Sequence, residues 1–143
     1  MSSSAPAVSS AQRPNRGLHI GLWVVQVLLA IVFVMAGLAK LMAPAAELAK
    51  ATGAIVLPVG MVRFIGVAEL AGALGLILPS LTRIRPGLTP LAAAGLVVVM
   101  VLATGYHIVR EEFASVPVTT LIGVLAAFVA WGRFKKAPIS PRG

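Results

Sequence analysis

Residues 18–39, LHIGLWVVQVLLAIVFVMAGLA, run for 22 positions without a Lys, Arg, Asp or Glu. A helix rises about 1.5 Å per residue, so roughly 20 mostly apolar residues cross the hydrocarbon core of a bilayer. Arg13 and Arg16 precede the run and Gly37-Leu38-Ala39 offers a small-x-small site, as in a signal peptide. The apolar region of a signal peptide is about 7–15 residues, however, which is shorter than this segment. The stretch reads as the first of several membrane spans.

Three more runs follow it. Residues 64–82 give 19 positions interrupted only by Glu69, residues 86–109 give 24 uncharged positions, and residues 113–132 give 20. Alternating apolar and polar positions of the β-barrel type are absent, so a helical bundle is the way to satisfy the backbone in lipid. The expected fold is an all-α membrane protein, a four-helix transmembrane bundle over residues 18–132. Its helices cover about 18–41, 59–78, 88–109 and 116–131. Pro44 opens and Gly53 ends a short interfacial segment, about 45–51, between helices one and two. Pro79 helps to stop the second helix. Residues 1–17, rich in Ser, Ala and Pro, read as a disordered cytoplasmic N-tail, and residues 133–143 as a basic cytoplasmic C-tail without regular structure.

Composition agrees. The chain of 143 residues is 59% hydrophobic and 11% charged, too apolar for a soluble domain to cover its own surface. The net charge of +8 comes from 12 Lys and Arg against 4 acidic residues. The basic residues cluster at the edges of apolar runs, as membrane flanks do, and show no pattern for nucleic-acid binding. There is no cysteine, which excludes disulfides, thiolate metal sites and dithiol chemistry by this chain alone. Two His, four Glu and no Asp argue against a protein-built metal cage.

Lys and Arg set the orientation. Arg13, Arg16, Arg83, Arg85, Arg133, Lys135, Lys136 and Arg142 fall on one side, and Lys40, Lys50, Arg63 and Arg110 on the other. The eight-to-four split places both termini in the cytoplasm, with Trp23 and Trp131 near the inner headgroups.

Glu69 is the residue that demands a reason. It lies about midway through the second span, where a charge costs about 2.5–3.5 kcal/mol on insertion scales and marks a functional site by default. Gly66, Gly72 and Ala73, one turn away, let a neighbouring helix approach, so Glu69 faces the bundle. Lys40, Arg63 and His107 are its candidate partners in a polar cluster. Because side chains lean toward the N-terminus of their own helix, Lys40 and His107 converge on it from antiparallel helices. Arg63 is about 120° around the helix from Glu69, which makes its contact less direct. Blander assignments stand beside these: Lys40 and Arg63 as snorkelling boundary residues, His107 bonded to Glu111 or a carbonyl, and Glu69 as a protonated interhelical donor. Gln26, Thr104, Thr119 and Thr120 read as helix-packing polar groups, and Gly95 and Gly105 as close-approach positions. His19, at the inner boundary, is assigned no role.

These residues resemble the DoxX-like family of four-helix bacterial membrane proteins. Gly37, Lys40 and Leu41 form a G-x-x-K-L pattern, and Arg63, Gly66, Glu69, Leu70 and Gly72 form R-x-x-G-x-x-E-L-x-G. The third helix ends in His107 followed by acidic residues, as in the family, and the resemblance covers about residues 18–131. Many members have no assigned activity. Some relatives are linked to quinone-dependent sulfur oxidation, and others to membrane assemblies concerned with oxidative stress and thiol balance. This chain has no cysteine, flavin motif or haem ligand pair, so an electron carrier has to come from a redox partner protein or from the quinone pool. The resemblance implies a non-catalytic or quinone-linked subunit of a redox assembly in the bacterial cytoplasmic membrane. The other class left open is a scaffold, carrier or sensor of a small molecule with no enzymatic activity; in either case a homo-oligomer is compatible with the sequence.

Overall fold

The computed structural model describes residues 15–50 and 55–143, and among them all regular structure is helical. Helices α1 (Arg16–Met42), α3 (Val59–Thr82), α4 (Leu88–Val109) and α5 (Val116–Trp131) are the long ones. A short helix α2 (Ala45–Ala49) lies between α1 and α3, and a π-helical turn, Gly132–Lys136, extends α5. The α1 helix packs chiefly on α3, α3 on α4 and α4 on α5, and α5 closes back on α1. The result is an up-down-up-down bundle with two distinct ends. One, the terminal end, carries the start of α1, the α3–α4 turn and the chain's C-terminal segment. The other, the loop end, carries α2 and the α4–α5 turn.

Local chemistry sets the helix limits. The Asn15 side chain accepts from the Gly17 and Leu18 amides at 3.0 and 3.3 Å, satisfying donors that a helix start leaves free. Pro117 sits in the first turn of α5, where a missing N–H removes no helical bond. Arg83 ends α3 in the left-handed region, at φ 59°.

The core is a narrow seam of Leu22, Leu29, Phe33, Leu76, Leu96 and Val129, all 2% exposed or less. In each span only 22–28% of the most apolar 18-residue window is buried. Ile20, Met35, Phe64, Leu91, Leu102 and Leu121 are among the large apolar side chains turned outward. Apolar surface on that scale is stable only against lipid. All four long helices are long and apolar enough to span a membrane.

Several expectations need correction. The first helix begins at Arg16, so the N-tail is shorter than 1–17; its residues 1–14 lie outside the described residues, as does Gly53. Pro79 does not stop the second helix, which continues to Thr82. The proline is in the last turn, where its missing amide removes a single bond to Gly75. Beyond it, buried Ser80 and Thr89 join their hydroxyls at 2.7 Å, and Thr82 Oγ1 donates to the Leu78 carbonyl at 2.7 Å. The C-tail is not free of structure: Ala137 is 1% exposed, and the Arg142 amide donates to the Arg83 carbonyl at 2.9 Å. Gly95 and Gly105 are not contact points, since a Cβ at either would meet nothing within 4 Å. Thr120 is exposed, whereas Thr104 and Thr119 share a hydrogen bond of 2.8 Å between α4 and α5.

Candidate functional site

The α1–α3 crossing positions the site. A Cβ on Gly37 would lie 2.8 Å from the Gly66 carbonyl oxygen, and one on Gly66 would lie 3.0 Å from the Gly37 oxygen and 3.1 Å from Lys40 Cβ. Only hydrogens at both positions let the backbones come this close. One turn beyond the crossing on each helix stand Lys40 and Glu69. Their ion pair is two-pronged: Lys40 Nζ donates to Oε1 at 3.1 Å and to Oε2 at 3.0 Å. The Glu69 side chain is 3% exposed and that of Lys40 is 33% exposed. A buried carboxylate thus meets a cation whose stem reaches the bundle surface, which offsets much of the cost of placing the charge at this depth.

Arg63 does a different job from the one its charge suggests. Its Nη1 donates to the Lys40 carbonyl at 2.6 Å and to the Leu41 carbonyl, and its Nη2 donates to the Ala43 carbonyl at 2.6 Å. These are among the carbonyls that the end of α1 leaves without helical partners. A planar fork with five donors suits them, and the cation sits at the negative end of the helix dipole. Arg63 therefore fixes the end of α1, and Lys40 with it, over Glu69.

His107 does not join them. Its Nδ1 lies 2.7 Å from Glu112 Oε2, while Arg110 Nε donates to Glu112 Oε1 at 2.7 Å. Arg110 also packs over the Tyr106 ring at 5.3 Å and donates through Nη1 to the Ile55 carbonyl at 2.8 Å. The turn after α4 causes this: Glu111 takes a left-handed conformation, φ 59°, which swings Glu112 back beneath His107. Hydrogen bonds from Arg110 and then His107 hold the Glu112 carboxyl below its ordinary pKa of 4.5, and the same bond raises that of Arg110. This group ties the α4–α5 turn to the segment before α3. Of the four candidates, the structure brings Lys40, Arg63 and Glu69 together and places His107 in a separate network.

The family model described as the DoxX-like family matches residues 24–129. The chain belongs to the DoxX-like family. No curated protein and no solved structure gives a match. In this DoxX-like protein the matched region holds Lys40, Arg63, Glu69 and His107 but stops short of the π-helical turn.

A second polar group, at the terminal end, escaped the sequence reading. Arg133, 3% exposed, donates through Nε to Gln26 Oε1 at 2.6 Å and through Nη1 to the Ala137 carbonyl at 3.1 Å. Nη1 also lies 3.0 Å from His19 Nδ1, and Gln26 Nε2 donates to the Leu76 carbonyl at 2.6 Å. Gln26, in the middle of an uncharged run, was the available signal, because a buried amide needs partners for both of its ends. Arg133 looked like a flank charge, and nothing local indicates that a π-helical turn carries it inward.

Proposed function

We propose that this protein is a small non-catalytic subunit of a redox assembly in the bacterial cytoplasmic membrane, with both termini inside the cell, and that Lys40 receives a quinone headgroup there. The observation that carries this reading is the third donor of Lys40. An ammonium has three N–H groups; two are directed to Glu69, and the third has no acceptor among the described residues. A quinone carbonyl is an oxygen acceptor that resides in the bilayer. Glu69 keeps the ammonium aimed, so the hydrogen bond offered is charge-assisted. A bound quinone supplies the electron chemistry, and a redox partner protein supplies or removes the electrons. The chain's own residues contribute binding and orientation: Arg63 is committed to the end of α1 and His107 to Glu112, so neither is on hand as a proton donor.

That commitment also favours a second reading, in which the pair only locks α1 to α3 in a scaffold or carrier. The Lys40→Met, Glu69→Gln double variant separates the two, since it removes the donor without stranding a buried charge. Purified in native lipid, the natural protein should retain quinone and a redox partner, and the double variant should lose the quinone while staying folded. Equal quinone content in both, or none in either, would overturn the quinone reading and leave the scaffold.

A further inference from the structure

His19 and Arg133 stand on different elements and meet at the terminal end, where Nη1 of the arginine lies 3.0 Å from Nδ1 of the histidine. A guanidinium nitrogen can only donate. Nδ1 is therefore the acceptor, and the imidazole is neutral with its proton on Nε2. The same guanidinium donates through Nε to Gln26 Oε1, on the same face of α1 about two turns further on, and through Nη1 to the Ala137 carbonyl. Arg133 thus ties α1 to the start of the C-terminal segment, where Ala137 is 1% exposed.

Protonation of His19 undoes this arrangement. An imidazolium carries a hydrogen on both nitrogens and cannot accept, so a guanidinium whose Nη2 already has no partner among the described residues loses another. The charged side chains around His19 are all cations. Arg16 from its own helix and Arg83 from the end of α3 line the same cavity of about 420 Å³. Arg133 comes from the turn after α5, and Arg85, ahead of α4, lies with it along a neighbouring hollow. Pro138, Ile139 and Ser140 complete the cavity wall without a charge, and all four glutamates belong to the loop half of the bundle. His19 is half-buried at the rim of that cavity, within reach of protons from water.

We infer that His19 and Arg133 form a pH-sensitive latch on the C-terminal segment, closed while the imidazole is neutral and opened when it is protonated. Two cations in contact repel, and the Ala137 carbonyl loses its side-chain donor when Arg133 gives way. Beyond the π-helical turn the segment then keeps only its bonds to Arg83. The Arg83 Nε donates to the Ser140 carbonyl at 2.9 Å, its Nη2 to the Pro141 carbonyl at 3.4 Å, and its carbonyl accepts from the Arg142 amide at 2.9 Å. Arg83 is exposed, so water competes for these groups and they hold little by themselves. Protonation is opposed in the closed state and unopposed in the open one, so acid shifts the balance toward release. The latch reports the acidity of the compartment that both termini face. His107, bound to Glu112 at the loop end, takes no part in it.

The chain has no cysteine, so Ser140→Cys, at an exposed position, takes a single nitroxide label on the C-terminal segment. Electron paramagnetic resonance of the full chain in lipid nanodiscs should show an immobile label at about pH 8 and a several-fold larger mobile fraction at about pH 5, the span over which imidazoles titrate. In His19→Asn the side-chain oxygen stands in for Nδ1 and cannot take up a proton. Whether the segment is held or free in that variant, its mobility should not follow pH. Equal mobility at both pH values with His19 present, or the same pH response in His19→Asn, would overturn the latch. Nitrogen NMR of the imidazoles, with His19 identified by its loss in the same variant, reads the tautomer independently. A proton on His19 Nδ1 at about pH 8 would also overturn it.

Discussion

The two ends of the bundle bury cations in opposite ways. At the loop end Lys40 meets Glu69, Arg63 meets the carbonyls closing α1, and Arg110 meets Glu112. Charge is answered there by charge or by a helix dipole, within the chain. At the terminal end Arg133 is more deeply buried than Lys40 and, among the described residues, is answered by an amide, an imidazole and a carbonyl, with no carboxylate. A half-buried and a buried cation in one small fold therefore carry different messages. A satisfied pair at a helix crossing speaks first of structure, with function left to whichever donor remains over. A guanidinium with one nitrogen unsatisfied and only neutral partners carries a cost that its hydrogen bonds offset in part.

Neutralising one partner at each end sharpens this comparison. Lys40→Met strands the buried Glu69 carboxylate and should lower stability by about 3–5 kcal/mol, the usual cost of breaking a buried pair, as measured by unfolding in lipid or detergent. Arg133→Met should cost less, about 1–3 kcal/mol. It leaves Gln26 Oε1 and the Ala137 carbonyl without donors but also removes a charge that has no ion-pair partner among the described residues. A larger loss for Arg133→Met than for Lys40→Met would reverse the assignment of the two ends.

Gly37→Ala probes the crossing that sets the pair. Its Cβ would press on the Gly66 carbonyl oxygen at 2.8 Å, and overpacking costs about 1–3 kcal/mol. The gain in helix propensity returns up to about 1 kcal/mol, for a net loss of about 1–2 kcal/mol. An unchanged Tm would show that α1 and α3 are not held at this point.

The smallest effect concerns Glu112. Its carboxyl is held below 4.5 by Arg110 and His107, so its contribution is fully present above about pH 4.5 and is lost as pH falls through the depressed folded value. Comparison of the natural protein with Glu112→Gln across that window should show the stability gap closing in acid. A gap constant with pH would mean that the carboxylate is not tied down in solution.

Much of the fold was legible because a bilayer is a strict solvent: 22 uncharged residues have few alternatives to a span, and a lone Glu69 among small residues must face inward. The Lys40–Glu69 partnership followed from antiparallel helices with inward-leaning side chains. His107 escaped that logic because the left-handed Glu111 redirects Glu112, and turn geometry of this kind leaves little trace in periodicity. Arg133 escaped it because its inward course depends on the π-helical turn and on Gly132, where a Cβ would lie 2.5 Å from Leu22 Cδ2. In both cases a local backbone feature overrode the rule that flanking charges point to water.

Lys40 and Glu69 act as one unit across the α1–α3 crossing, and a double-mutant cycle on Lys40→Met and Glu69→Gln reads out their coupling. Unfolding of the natural protein, the two single variants and the double variant in the same lipid should give a coupling of about 2–3 kcal/mol, with the double variant more stable than the sum of the single losses implies. Additive losses, agreeing within about 0.5 kcal/mol, would show that the pair is not formed in the membrane.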